Sequence, residues 1–229
     1  MTTTPLRPAA PTRRRGDWWI PTSLIALTFV PVAAGAARLV DLSSGRTEEN
    51  ARFFDLPVPI VVHIVGATTY CLLGAFQLMP SFRRRRPGWH RVSGRILVPA
   101  GLAAAISGLW MATLHDLPAE DGTVLMWLRV IFGSLMVAGL VLGVAAIRRG
   151  DVRTHQRWMA RSYAVAQGAG TQALVLGPVA LLVDQPGAGV KAAGMGFAWV
   201  LNLLVAEWLV HRSQARRSRR AGQSRRRVW

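Results

Sequence analysis

The chain of 229 residues holds one cysteine, Cys71, so no intramolecular disulfide can form and no cysteine-based zinc or iron–sulfur site can be built. Charge is scarce as well: 17% of residues are charged, against roughly 25% in an ordinary soluble domain. Acids are scarcer still, with 11 Asp and Glu against 28 Lys and Arg, a formal net charge of +17. Lysine is nearly absent: among the basic residues only Lys191 is not arginine. Soluble catalytic signatures are missing too. The sequence has no P-loop, no dinucleotide glycine fingerprint and no His-Glu-x-x-His metal helix.

What is plentiful is apolar sequence, 51% of the chain. The arginines sit in clumps, and between them run stretches of about 18 to 24 residues with little charge. Each is long enough to cross a hydrocarbon core of roughly 30 Å at about 1.5 Å rise per residue. This excludes a soluble enzyme, a disordered basic tail-protein and a compact nucleic-acid-binding domain. The pattern predicts an all-α polytopic membrane bundle of six transmembrane helices. The spans are about Trp18–Leu39, Val58–Met79, Ile96–Leu114, Val124–Ile147, Ser162–Val183 and Val190–Val210. Residues 17–211 form this membrane domain, between a basic arm at 1–16 and a basic tail at 212–229, both expected to lack fixed structure. A short amphipathic turn is expected around Arg52, Phe53 and Phe54. Arg13–Arg15 ahead of an apolar run could pass for a signal peptide. The paired tryptophans at its start and Pro21 and Pro31 within it favour a retained helix.

Orientation follows from arginine placement, since short Lys/Arg-rich loops stay cytoplasmic. The arm, the second and fourth loops and the tail together carry 23 of the 28 basic residues, while eight of the 11 acids fall in the opposite loops. Both termini are therefore expected in the cytoplasm, as an even number of spans requires. The address expected, from the family resemblance given below, is the inner membrane of a bacterial cell. Nucleic acid is not needed to explain the arginines, because topology already does.

Polar residues inside the membrane are costly and face the bundle interior. In the second span His63, Ala67, Tyr70, Gly74 and Gln77 share one helical stripe. That stripe is either a hydrogen-bonding helix contact, with Gly74 allowing close approach, or a ligand site. The fifth span is the most polar, with Arg161, Ser162, Tyr163, Gln167, Gly168, Gly170, Thr171 and Gln172, and should pack centrally against the second. Gly139 and Gly143 in the fourth span allow tight packing. Glu207 in the sixth can pair with an arginine. Arg129 lies at about the depth of His63 and wants an anion, either Asp116 or Asp121 or a cofactor carboxylate.

The histidines divide by side: His63 and His115 toward the external face, His90, His155 and His211 toward the cytoplasmic one. The second and fourth loops match, each with a basic run, a tryptophan, a histidine, and an arginine where the next helix starts. The sequence resembles a family of predicted bacterial membrane proteins whose domain is of unknown function. The resemblance covers about His63 to Gly177. It is carried by His63 with Gly74-Ala75-Phe76-Gln77, by His90-Arg91 with Gly94-Arg95, and by His155-Gln156-Arg157-Trp158-Met159-Ala160-Arg161-Ser162-Tyr163. A looser likeness is to b561-type haem cytochromes and ferric reductases, which implies haem b cradled by spans two to five.

Three functional readings follow. In the first, a redox protein binds haem b or quinone, with His63, His115, His90 and His155 as ligands. Arg91, Arg95, Arg129, Arg157 and Arg161 would then hold propionates or quinone oxygens, with Gln77 and Tyr70 beside them. Two facts count against haem: the fourth span has no histidine, and His90 and His115 are too far apart to be deep ligands on one unbroken helix. In the second, a non-enzymatic protein binds anionic lipid headgroups or a partner through its arginine-rich face. In the third, a small transporter uses the polar face of the second and fifth spans.

Overall fold

The computed structural model describes residues 17–48, 50–114, 121–184 and 186–226, with side chains described as far as Ala215. His115, Asp116 and Glu120, together with the 1–16 arm, lie outside the described residues. The helices are α1 (Trp19–Ser43), α2 (Ala51–Phe54), α3 (Pro57–Gln77), α4 (Pro80–Arg85), α5 (Pro87–Leu114), α6 (Gly122–Arg148), α7 (Val152–Ala166), α8 (Gly168–Leu182) and α9 (Ala188–Arg226). Among the described residues six helical stretches are long and apolar enough to cross a membrane, the fifth being α7 and α8 together. The short turn expected around Arg52 is α2.

Three boundaries differ from the sequence expectation. Helix α5 starts at Pro87 rather than near Ile96, so His90, Arg91 and Arg95 lie on its first turns. Proline at the first helical position is pre-set for a helix, and the same device opens α3 at Pro57 and α4 at Pro80. The fifth span starts at Val152 and is interrupted at Gln167, where Gly168 and Gly170 weaken helix propensity. Helix α9 continues to Arg226 through the tail expected to be unstructured. Arginine, alanine and glutamine there are good helix formers.

The α6–α7 turn is fully specified by local chemistry. Gly150 adopts φ +78°, and the amides of Gly150 and Asp151 donate to the carbonyls of Ile147 and Ala146 at 3.0 Å each. The Asp151 carboxylate then accepts from the Thr154 amide at 3.0 Å, capping α7. Those bonds to the Asp151 carboxylate hold its pKa below the usual range.

Helix α7 sits in the middle, against α6, α9 and α3, while α8 leaves it to pack between α1 and α9. The sequence expectation that the fifth span is central and meets the second therefore holds for its first half. Small residues bring the helices close: a Cβ on Gly139 would overlap Ser162, one on Gly143 would overlap Met159, and one on Gly170 would overlap the backbone oxygen of Leu27. Outward, large apolar side chains are bare, including Leu181 at 88% and Leu182 at 86% exposed. Water would not tolerate that continuous apolar surface, and lipid requires it. The chain is a multi-pass membrane protein.

Candidate functional site

Each end of the bundle gathers one set of charges. At one end the Ser81 amide donates to Asp17 at 3.1 Å, and Trp18, Phe76, Phe82 and Trp89 form an edge-on aromatic cluster. His90, His155 and Gln214 share this end, so the arm's exit, both matching loops and the start of the tail converge there. At the other end Arg38, Asp121 and Arg129 all lie within electrostatic range of Arg52. Burial and the neighbouring cations push the Arg52 pKa down despite Asp121. Arg129 finds its anion in Asp121 at 2.8 Å, one of the two carboxylates anticipated for it. A cavity of ≈ 560 Å³ opens here between Asp121, Gly122 and Leu128 on one side and Ala188, Ala192 and Gly196 on the other, and none of the described histidines lines it.

The second-span stripe is a contact face. His63 Nδ1 lies 2.8 Å from the Ala104 carbonyl of α5. A carbonyl only accepts, so Nδ1 carries the proton and Nε2 is left as an unprotonated lone pair. The His63 ring fits against Gly108, where a Cβ would stand 3.2 Å from it. Tyr70 packs over Gly101 and, at 5.8 Å between centroids, against Tyr163. The Gln77 amide donates to Ser93 Oγ and to the His90 carbonyl, leaving Gln77 Oε1 buried without a partner.

His155 repeats the His63 arrangement in the second hairpin. Its Nδ1 lies 2.9 Å from the Gly143 carbonyl of α6, so in the neutral ring Nε2 is again the nitrogen without the proton. His90 lies within electrostatic range of His155, and its own Nδ1 is buried with no partner. The structure thus brings His90, His155 and Gln77 to one end and leaves His63 toward the other. Among the described residues no three His, Cys, Asp or Glu side chains converge on a common metal position. Imidazole is one of the axial donors that haem proteins use, and one or two suffice. His155 suits this role, since a backbone-bonded Nδ1–H orients a ligating Nε2, whereas His90 offers a buried Nδ1 that no hydrogen bond orients.

The arginines assigned to that site divide. Arg91 and Arg95 are exposed on the first turns of α5, with Arg91 donating to the Pro87 carbonyl. Arg157 and Arg161 turn instead to α9, Arg157 onto Gln214 and Arg161 onto Glu207 in a close ion pair. Glu207 finding an arginine was legible in the sequence. What sequence reading missed is a buried network on α1. The Thr28 hydroxyl donates to Gln167 Oε1 at 3.1 Å, and Gln167 donates to Tyr163 at 2.8 Å. A single threonine in an apolar helix gave no signal until its partner was placed.

The family model for predicted membrane proteins of the type DUF2306 matches residues 60–210, from the first turn of α3 into α9, and contains His63, His90 and His155. The chain belongs to this family. No curated protein and no solved structure matches it. The DUF2306 match begins in α3, so it contains both matching hairpins and leaves out α1 and Thr28.

Proposed function

We propose that this DUF2306 protein is a redox membrane protein that binds haem b or a quinone through its histidines, with the arginine-rich end in the cytoplasm of a bacterial inner membrane. The observation that supports it is the state of the ring nitrogens. His63 and His155 each spend Nδ1–H on a backbone carbonyl of the neighbouring helix, which in the neutral ring leaves Nε2 as a lone pair, and His90 has a buried, unpartnered nitrogen and lies within electrostatic range of His155. Haem b, when bound, supplies a one-electron couple. His155 and His90 would hold it at the arginine-rich end, with Arg91 and Arg95, exposed on the first turns of α5, as the cations for acidic substituents. His63, with His115, is the candidate pair at the other end.

Oxidised and reduced visible spectra of the purified protein test the reading. A Soret band with reduced α-bands that disappears in His155→Ala supports it. A colourless preparation from haem-sufficient cells, carrying no extractable quinone, overturns it.

The second reading, binding of anionic headgroups, is favoured by the convergence of the second and fourth loops and the start of the tail on one end of the bundle. Juxtamembrane cations are attracted to an anionic leaflet by about 1 kcal/mol each. The transporter reading has less support, since only the fifth span among the described helices is interrupted near its middle.

A further inference from the structure

Arg153, Arg157 and Arg161 recur every fourth residue along α7 and so lie on one side of it. That side faces α9, because Arg157 reaches Gln214 and Arg161 reaches Glu207. Glu207 is the single carboxylate in the sequences of α7 and α9. It is already shared: Arg161 pairs with it, His211 Nε2 lies 3.7 Å from it, and Arg157 lies within its electrostatic range. The cations here outnumber the anion.

Arg157 shows the shortfall atom by atom. One terminal nitrogen donates to Gln214 Oε1 at 3.3 Å, while Nε is buried with no acceptor. A guanidinium edge with a vacant Nε–H is shaped for an oxyanion that can take two parallel hydrogen bonds. Two tryptophans mark the level of this edge. Arg161 stacks over Trp158 at 4.7 Å and Arg212 over Trp208 at 4.9 Å, and Trp208 is 56% exposed. Tryptophan near the end of a membrane span belongs at the headgroup level of a bilayer, and Trp208 stands near the end of the apolar span Val190–Val210. The oxyanion in reach at that depth is a lipid phosphate.

We infer that the α7–α9 junction is a binding site for the phosphate of an anionic phospholipid, with Arg157 as its principal ligand and Arg161 and Arg212 at its rim. This rests on the headgroup reading above and narrows it from a diffuse basic face to one site. It is independent of whether the histidines bind haem.

The test is native mass spectrometry of the full chain in detergent, titrated with phosphatidylglycerol or phosphatidylcholine. The expected result is retention of a phosphatidylglycerol adduct in preference to phosphatidylcholine. Arg157→Gln weakens that adduct about tenfold, the loss expected for a charge-assisted hydrogen bond. Arg157→Lys keeps the charge without the planar fork, and should lose most of the same affinity. It also serves where the glutamine variant does not fold. Arg84→Gln, on exposed α4 at the same end, should change little.

Equal losses from Arg84→Gln and Arg157→Gln overturn the site and leave the diffuse headgroup reading standing. No preference for phosphatidylglycerol overturns both. If millimolar inorganic phosphate displaces the adduct and protects the chain equally by itself, the ligand is a free phosphate and the lipid assignment falls.

Discussion

The Tyr163 hydroxyl donates a 2.7 Å hydrogen bond to the backbone carbonyl of Cys71, joining α7 to α3. The same oxygen accepts from Gln167, whose own carbonyl takes the Thr28 hydroxyl of α1. Three helices are thus tied by one chain of satisfied bonds, where an unsatisfied group would be costly.

Removing the central oxygen should therefore be felt in all three helices. Tyr163→Phe is expected to cost about 1–3 kcal/mol, because it leaves the Gln167 amide short of an acceptor in an apolar setting. Thermal unfolding in detergent measures it. Combining it with Gln167→Leu should cost less than the sum of the two, since both break one network.

Close helix approach makes a second prediction. Gly170→Ala would drive a methyl into the Leu27 backbone and push α8 from α1, at a cost of about 1–3 kcal/mol. At Gly94 a Cβ meets nothing within 4 Å, so Gly94→Ala should leave the melting temperature unchanged or slightly raised. Similar losses at both positions would refute the α1–α8 contact.

The histidines separate by function and by packing. His63→Leu removes the donor to Ala104 and should lower thermal stability by about 1 kcal/mol, the net worth of one hydrogen bond, since that carbonyl keeps the Ser107 hydroxyl. If haem or quinone binds at the arginine-rich end, His63→Leu spares that cofactor's spectrum while His155→Ala abolishes it. The reverse pattern would move the site to the other end.

Acid should weaken the opposite end of the bundle. Arg46 grips Asp55 with two hydrogen bonds of 3.0 and 3.1 Å, and these hold the Asp55 carboxyl below the usual carboxylate range. A depressed pKa contributes stability that is present above the unfolded value, about pH 4, and is lost as pH falls through the folded one. The melting temperature of the wild type should exceed that of Asp55→Asn at neutral pH, and the gap should close in acid. Because the pair is exposed, salt should narrow it at neutral pH too.

The clearest match between sequence and structure is where a single helix decides the outcome. Apolar runs of spanning length gave six spans, the Gly139 and Gly143 spacing marked the face that α7 packs on, and Glu207 was placed to meet an arginine. Hairpin register was less legible. The spacing of His63, Tyr70 and Gln77 put them on one stripe, yet only the neighbouring helix shows that the stripe is spent on Ala104, Gly101, Tyr163 and Ser93. The arginines grouped around His155 by sequence are parted in space, because residues two positions apart on a helix point about 200° around its axis. His155 turns to α6, and Arg157 and Arg161 turn to α9.

Taken alone, the sequence determined the solvent of this protein. Scarce and clustered charge, one cysteine and long apolar runs leave a membrane bundle as the arrangement that satisfies its backbone. Tertiary structure decided which polar atoms are satisfied and which are left over. That depends on the carbonyl or side chain a second helix brings within about 3 Å, a distance no spacing along one chain encodes. Tyr163 and Thr28 found partners. His90 Nδ1 and Arg157 Nε did not, and those two atoms are where ligand chemistry is now to be sought.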